Sequence, residues 1–236
     1  MAPLTAAHRR RLREVWRSAG WPCRDLIEID LLAAGLLERV HPPSGHETLR
    51  VADAGVLVLA ETRQRNQHAR SAHEALVEHV AGEMGRAGRV VWRGLSLRAR
   101  VPTPEGGVWQ MAMPDVFSIR HTTVEDYVEP IVHEIKVSRA DLLSDLRRAA
   151  KREAYRALAS QCWYVLRAGI AEADEVPLQF GVMLAQGTVL EVARAAPRRA
   201  MRLPFAVWMA LARAQAEPAS EDGAQGALGA PDEGPG

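Results

Sequence analysis

A chain of 236 residues that is 47% hydrophobic and 25% charged can bury the core of one or two globular domains, which excludes a disordered or fibrous polymer. No apolar run approaches the length of a membrane span, and Arg9, Arg10, Arg11, Arg13 and Arg17 are not followed by the apolar segment of a secretory signal. Cys23 and Cys162 lack the partners of a disulfide frame or zinc site, so the expectation is a cytoplasmic protein with reduced thiols and no membrane partner. The net charge of +1 hides a division: residues 62–213 hold 22 basic and 16 acidic groups, whereas residues 214–236 hold 5 acidic groups and no basic one. A basic middle suits a polyanionic partner and is equally found on ordinary surfaces.

Thr5 is placed to cap a helix through about Ser18, with Leu12, Val15 and Trp16 at helical spacing. Gly20-Trp21-Pro22 ends it, and a second helix runs from about Arg24 to near Gly35. Leu36–Val40 and Thr48–Val51 flank His41-Pro42-Pro43-Ser44-Gly45 as a β-hairpin, and a third helix runs from Asp53 toward Glu61. Glu61 to Asn66 reads as a polar joint. His68 to Met84 is then a separate helix with Ala72, Leu76, Val80 and Met84 along one stripe.

Strands follow at Val90–Arg93 and Leu95–Leu97, and another lies within Trp109–Ile119. Ile131–Val137 is the strongest buried-strand signal. Ser138 caps one long helix, with Asp141 three residues on and Leu142, Leu143, Leu146, Ala150 and Leu158 on its buried side. Arg147–Lys151–Tyr155 and Arg148–Arg152–Arg156 form rows at i, i+4, i+8 on that helix, suited to a solvated face or to phosphate contact. A strand at Cys162–Leu166, a hairpin of Phe180–Ala185 with Val189–Ala193, and a helix at Pro204–Ala214 complete the order. The composition from Glu217 onward is that of a disordered tail.

Within this order Asp115 heads one apolar run, and Glu134-x-Lys136 lies inside the next. Strand alternation puts Glu134 and Lys136 on one face with Val132, and Ile131, His133, Ile135 and Val137 on the other. Two charges on an apolar strand cost folding energy unless they pair with each other or bind something. Of the 30 basic residues only Lys136 and Lys151 are lysine. A chain so biased to arginine retains lysine where a compact ammonium is needed, which favours a functional site over a structural ion pair.

The spacing of Pro114-Asp115, Glu134-x-Lys136 and a following basic helix resembles the PD-(D/E)xK nuclease superfamily over about residues 68–193. Within it, "HEIKVSRADLLSDLRRAAKREAYRALASQCWYVL" looks most like the MmcB-like DNA repair proteins. The resemblance implies an α/β fold, a central mixed β-sheet flanked by helices. It also implies metal-dependent hydrolysis of DNA, with Asp115 and Glu134 as ligands of Mg²⁺ or Mn²⁺ and Lys136 assisting the attacking water. An acid on the preceding helix is implied too, and Glu74 matches it ahead of Glu78 and Glu83. Some members carry Gln-x-x-x-Tyr on the following helix; here the pattern is Lys151-x-x-x-Tyr155, which leaves the role of Lys151 open. Arg147, Arg148, Lys151 and Tyr155 are the expected grips on the DNA backbone.

"LLAAGLLERV…ETLRVADAGVLVLAE" resembles the closing half of a winged-helix unit, suited to DNA reading or to docking and dimerisation. The acids Asp25, Glu28 and Asp30 on its second helix oppose a phosphate backbone. The expected division is a winged-helix-like unit at 1–62, a nuclease-like domain at 63–213 and the tail at 214–236. Phe205–Trp208 offers a surface for a homodimer. The rival reading is a non-catalytic DNA-binding or regulatory protein on a nuclease-like scaffold. Other constellations are poorer. His73-Glu74 with His79 misses the i, i+4 spacing of a helical zinc pair and reads as surface or fold. His133 reads as a satisfied core histidine, Trp92, Trp109, Trp163 and Trp208 as core, and no P-loop or dinucleotide fingerprint marks a nucleotide cofactor.

Overall fold

The computed structural model describes residues 3–217 except 42, 44 and 105. Its contacts divide the chain into two compact units, Met1–Ser71 and Ala72–Gly236. No helix among the described residues is long and apolar enough to cross a membrane.

In the first unit, α1 (Ala6–Arg17) starts at Thr5, whose hydroxyl accepts from the His8 N–H while the His8 ring reaches back to the Thr5 N–H. α2 (Leu26–Ala33) is capped by Asp25. β1 (Leu37–Val40) and β2 (Thr48–Val51) pair antiparallel, as their turn chemistry predicts. Leu12, Val15, Leu31, Leu36, Leu37, Leu49 and Val51 close a small core. Gly20 lies at φ 74°, with the Leu49 carbonyl where a Cβ would stand, so no other residue fits this crossing.

The acids at the start of and along α2 have partners within the unit. Asp25 pairs with Arg11 at 2.8 Å and Asp30 with the His8 ring at 3.1 Å. Glu28 is buried and accepts from the backbone N–H groups of Cys23 and Arg24. The latter bond holds Arg24 in the left-handed region at φ 54°.

The expected joint at Glu61 to Asn66 is not a joint. α3 runs unbroken from Asp53 to Arg86, so the two helices read from the sequence are one. Residues such as Glu61, Arg63 and Gln64 are good helix formers, and polarity without glycine or proline does not stop a helix.

The second unit is α/β with a six-stranded mixed sheet. The strands are β3 (Arg89–Arg93), β6 (Val116–Arg120), β7 (Ile131–Lys136), β8 (Gln161–Arg167), β9 (Gly181–Gln186) and β10 (Val189–Arg194). Their order is β10-β9-β8-β7-β6-β3. β3, β6 and β7 form an antiparallel meander, and β7 then pairs parallel with β8. A parallel neighbour requires a crossover, here α4 (Arg139–Leu146) and α5 (Ala149–Leu158). A separate hairpin of β4 (Leu97–Val101) and β5 (Val108–Ala112) is inserted between β3 and β6. α6 (Phe205–Arg213) closes the order.

The sheet separates two cores. On one face Phe117, Val132, Tyr164 and Leu166 pack with Leu142, Tyr155 and Leu158 of the crossover helices. On the other Val116, Ile135, Val137 and Val165 pack with Leu76, Val77, Val80 and Ala81 of α3. This alternation puts Glu134 and Lys136 on the crossover side, as strand geometry requires.

Several expectations need correction. The long helix after Ser138 is two helices broken at Arg147 and Arg148, so the two basic rows do not form one ridge. Leu143 and Ala150 are exposed, because the break rotates them out of the apolar stripe. Trp109–Ile119 holds two strands, parted by Met113-Pro114-Asp115, since proline cannot donate within a ladder. Trp109 is 50% exposed on the outer hairpin face beneath the Arg98 guanidinium. Glu217, read as the start of the tail, is tied to the sheet: its N–H donates to the Val91 carbonyl and its carboxylate pairs with Arg93, and the rest of that reading, 218–236, lies outside the described residues.

His133 is buried as expected, but Nδ1 finds no partner among the described residues. Burial, helped by the Arg89 charge, pushes its pKa down to about 3. The fold therefore holds His133 neutral while the unfolded chain takes up a proton near pH 6.5. The corresponding stability is complete above pH 6.5 and is lost as pH falls toward about 3. Replacing His133 with leucine should flatten the stability profile between pH 6.5 and 4 by about 1.4 kcal/mol per pH unit. Denaturant titrations at pH 7, 5.5 and 4.5 test this, and parallel profiles for the two proteins would refute it.

Candidate active site

Asp115 stands immediately before β6, where the β6–β7 ladder has ended at Val116 opposite His133. The Ile135 N–H has therefore lost its strand partner, and Asp115 Oδ2 accepts from it at 2.7 Å. The carboxylate is pinned at the mouth of the sheet by a backbone group of the strand that carries Glu134 and Lys136.

Glu134 and Lys136 are only 3% and 4% exposed. Glu134 Oε1 accepts from Lys136 Nζ at 2.7 Å and from Lys151 Nζ at 2.5 Å. Both lysines of the chain thus meet on one oxygen. Glu134 Oε2 accepts from the Tyr155 hydroxyl at 2.8 Å, with the Met113 carbonyl 2.9 Å away as a second acceptor. A further layer holds the ammonium groups: Asp145 Oδ1 accepts from Lys151 at 2.6 Å and Oδ2 from the Tyr164 hydroxyl at 2.7 Å. Lys136 also lies 3.3 Å from Asp141 and 3.8 Å from Asp145.

The electrostatics follow from this packing. Burial, then the neighbouring charge of Asp115, raises the Glu134 pKa against the pull of Lys136 and Lys151. Burial acts to discharge Lys136, but Glu134, Asp145 and Asp141 outweigh it and hold the ammonium above the ordinary lysine range. These partners keep Lys136 an ammonium in this arrangement. Burial and Glu134 likewise raise the Tyr155 pKa, so its hydroxyl stays a donor.

Asp115, Glu134, Lys136, Lys151 and Tyr155 are thus brought together. Lys151 and Tyr155, expected on the DNA backbone, turn inward to Glu134. Arg147 and Arg148 stay exposed at the break between α4 and α5. Glu74 is exposed and takes no part; its neighbour His73 points to Asp115 instead, 3.5 Å from Oδ2. That hydrogen bond raises the His73 pKa against its partial burial. Asp145, Asp141 and Tyr164 also escaped the sequence reading. The S-x-x-D signature at Ser138–Asp141 drew attention only to a helix cap, and Asp145 lies one turn further on the same face.

The donor set fits a hard divalent cation held by two carboxylates, with water and a substrate phosphate completing its shell. Three carboxylates, Glu134, Asp141 and Asp145, face the two ammonium groups, and Asp115 faces the His73 ring. Two hydrogen bonds fill Glu134 Oε1, and one on Oε2 leaves a lone pair there for a ligand. The set does not fit an all-protein cage: among the described residues no group of three or more His, Cys, Asp and Glu is arranged to hold a metal. Cys162 contributes nothing, because burial pushes its thiol up to about 12.

No known protein family matches the chain, and no curated protein matches it. Among solved structures it is similar to the SPO1766 protein of unknown function from Silicibacter pomeroyi. The identity is 21%, over 55% of this chain and 73% of that one, with a TM-score of 0.38.

Proposed function

We propose that the Ala72–Gly236 unit is a PD-(D/E)xK-type nuclease domain that hydrolyses DNA phosphodiesters with the help of a divalent metal. The observation that carries this reading is the hydrogen-bonded cluster of Glu134, Lys136 and Tyr155, with the Asp115 carboxylate fixed beside it on the backbone N–H of Ile135, between Glu134 and Lys136. The order of a helix, three antiparallel strands, a helical crossover and a parallel strand supports it. In the same reading the first unit is winged-helix-like and the protein acts in repair, recombination or defence, with a homodimer through α6 as a further expectation.

Asp115 and Glu134 would hold Mg²⁺ or Mn²⁺, which when bound supplies an acidified water and charge neutralisation on the scissile phosphate. The chain's own residues have distinct tasks. Lys136, as an ammonium, orients the water and stabilises the negative charge that builds on the oxygens of the pentavalent phosphorus. Tyr155 and Lys151 position Glu134, and Asp145 with Tyr164 positions the two ammonium groups. Lys151 thus fills the open role: it stands where some members of the resembling family have glutamine and adds a second charge to the glutamate. Arg147 and Arg148, exposed at the helix break, contact the DNA backbone.

Supercoiled, linear, single-stranded and branched DNA, each incubated with Mg²⁺, Mn²⁺ or EDTA, test the proposal. Cleavage is expected with metal and not with EDTA, and Asp115→Ala should abolish it. Equal cleavage by Asp115→Ala and wild type under Mg²⁺ would overturn the assignment.

A further inference from the structure

The first unit carries a groove of about 630 Å³ between α1 and the N-terminal half of α3. Arg13, Trp16 and Arg17 of α1 and Arg63, Asn66 and Arg70 of α3 line it, and no acidic residue does. Arg13 and Arg17 are one helical turn apart, and Arg63, Asn66 and Arg70 follow at i, i+3, i+7, so each set shares a face. None of the four arginines has an ion-pair partner among the described residues; of the unit's other arginines, Arg10, Arg11, Arg39 and Arg50 have one and Arg9, Arg24 and Arg65 have none. The indole of Trp16 is 59% exposed beside them. An exposed indole costs hydration free energy without contributing to the core, and four unpaired guanidinium groups repel one another. Both costs are relieved by a ligand that brings anionic charge and a flat apolar face together.

We infer that this groove binds a single strand of nucleic acid, with Trp16 stacking on an unpaired base and Arg13, Arg17, Arg63 and Arg70 on successive phosphates. A duplex presents phosphates but hides its base faces, so the indole would go unused. An acidic peptide presents charge but no π-face. A second copy of the groove would place like charges against each other. The carboxamide of Asn66 can donate to and accept from a base edge, which an unpaired strand leaves open. The site is separate from the Asp115–Glu134 cluster, and its binding needs no metal.

Fluorescence anisotropy of labelled oligothymidylate and of a duplex of equal length, with full-length protein in EDTA, tests this. The strand should bind more tightly than the duplex. Trp16→Ala should weaken strand binding on the order of tenfold, and Trp16→Phe should restore most of it. Arg63→Ala and Arg70→Ala should each lower the log–log salt slope by about 0.7. Arg50→Ala, which removes a paired arginine outside the groove, should leave both unchanged. Strand binding by Trp16→Ala and Arg63→Ala/Arg70→Ala that equals that of Arg50→Ala would overturn the inference. So would a loss of duplex binding in Trp16→Ala as large as its loss of strand binding, or competition by polyglutamate as effective as that by oligothymidylate of equal charge.

Discussion

Lys136→Ala is expected to lower metal-dependent DNA cleavage by about 10²- to 10³-fold while the protein stays folded. On the proposed mechanism the rate falls because the only ammonium carried on the Glu134 strand is lost, and with it the charge assigned to the developing phosphorane. Folding survives because Glu134 keeps two of its three donors, Lys151 and Tyr155. Lys136→Arg should not rescue the rate. A planar guanidinium cannot replace a compact ammonium set among Glu134, Asp141 and Asp145. Single-turnover cleavage under Mg²⁺, paired with thermal melts, separates the two effects. Wild-type rates in Lys136→Ala would remove the residue from catalysis.

The second large effect concerns stability. Glu134→Ala removes the acceptor shared by Lys136, Lys151 and Tyr155 and leaves two ammonium groups buried beside Asp145 alone, with Asp141 at the solvent edge. Removing one partner of a buried ion pair costs about 3–5 kcal/mol, and the same magnitude is expected here by denaturant unfolding. The triple change Glu134→Leu with Lys136→Met and Lys151→Met should recover most of that loss, since charges removed together leave none unpaired. A loss under 1 kcal/mol for Glu134→Ala would mean that water or rearrangement already screens the cluster.

The elements were legible wherever the local signal was strong. The Thr5 cap, the β1–β2 hairpin and the β-branched run of β7 all lie within a residue or two of the sequence reading. Errors arose where continuity depended on more than composition. Glu61 to Asn66 is polar yet helical. Leu146 to Ala149 is rich in helix formers, yet the chain bends there so that Lys151 and Tyr155 can reach Glu134. Within the site, the residues on strands were found by their period of two. His73 and Asp145 come from helices and meet Asp115 or the lysines only through the tertiary fold, as Tyr164 of β8 meets Asp145. His73 was set aside for failing a zinc spacing, although it pairs with a carboxylate in this fold.

The meeting of Lys136 and Lys151 on a single oxygen has a chemical consequence outside catalysis. Apart from the amino terminus of the chain, every primary amine of this protein lies in the candidate site. Reductive alkylation, which is confined to amines and scatters over the surface of most proteins, has side-chain targets here only within that cluster. The extent of that reaction is therefore a direct measure of how far the cluster opens to solvent, with Lys151 the more accessible of the two.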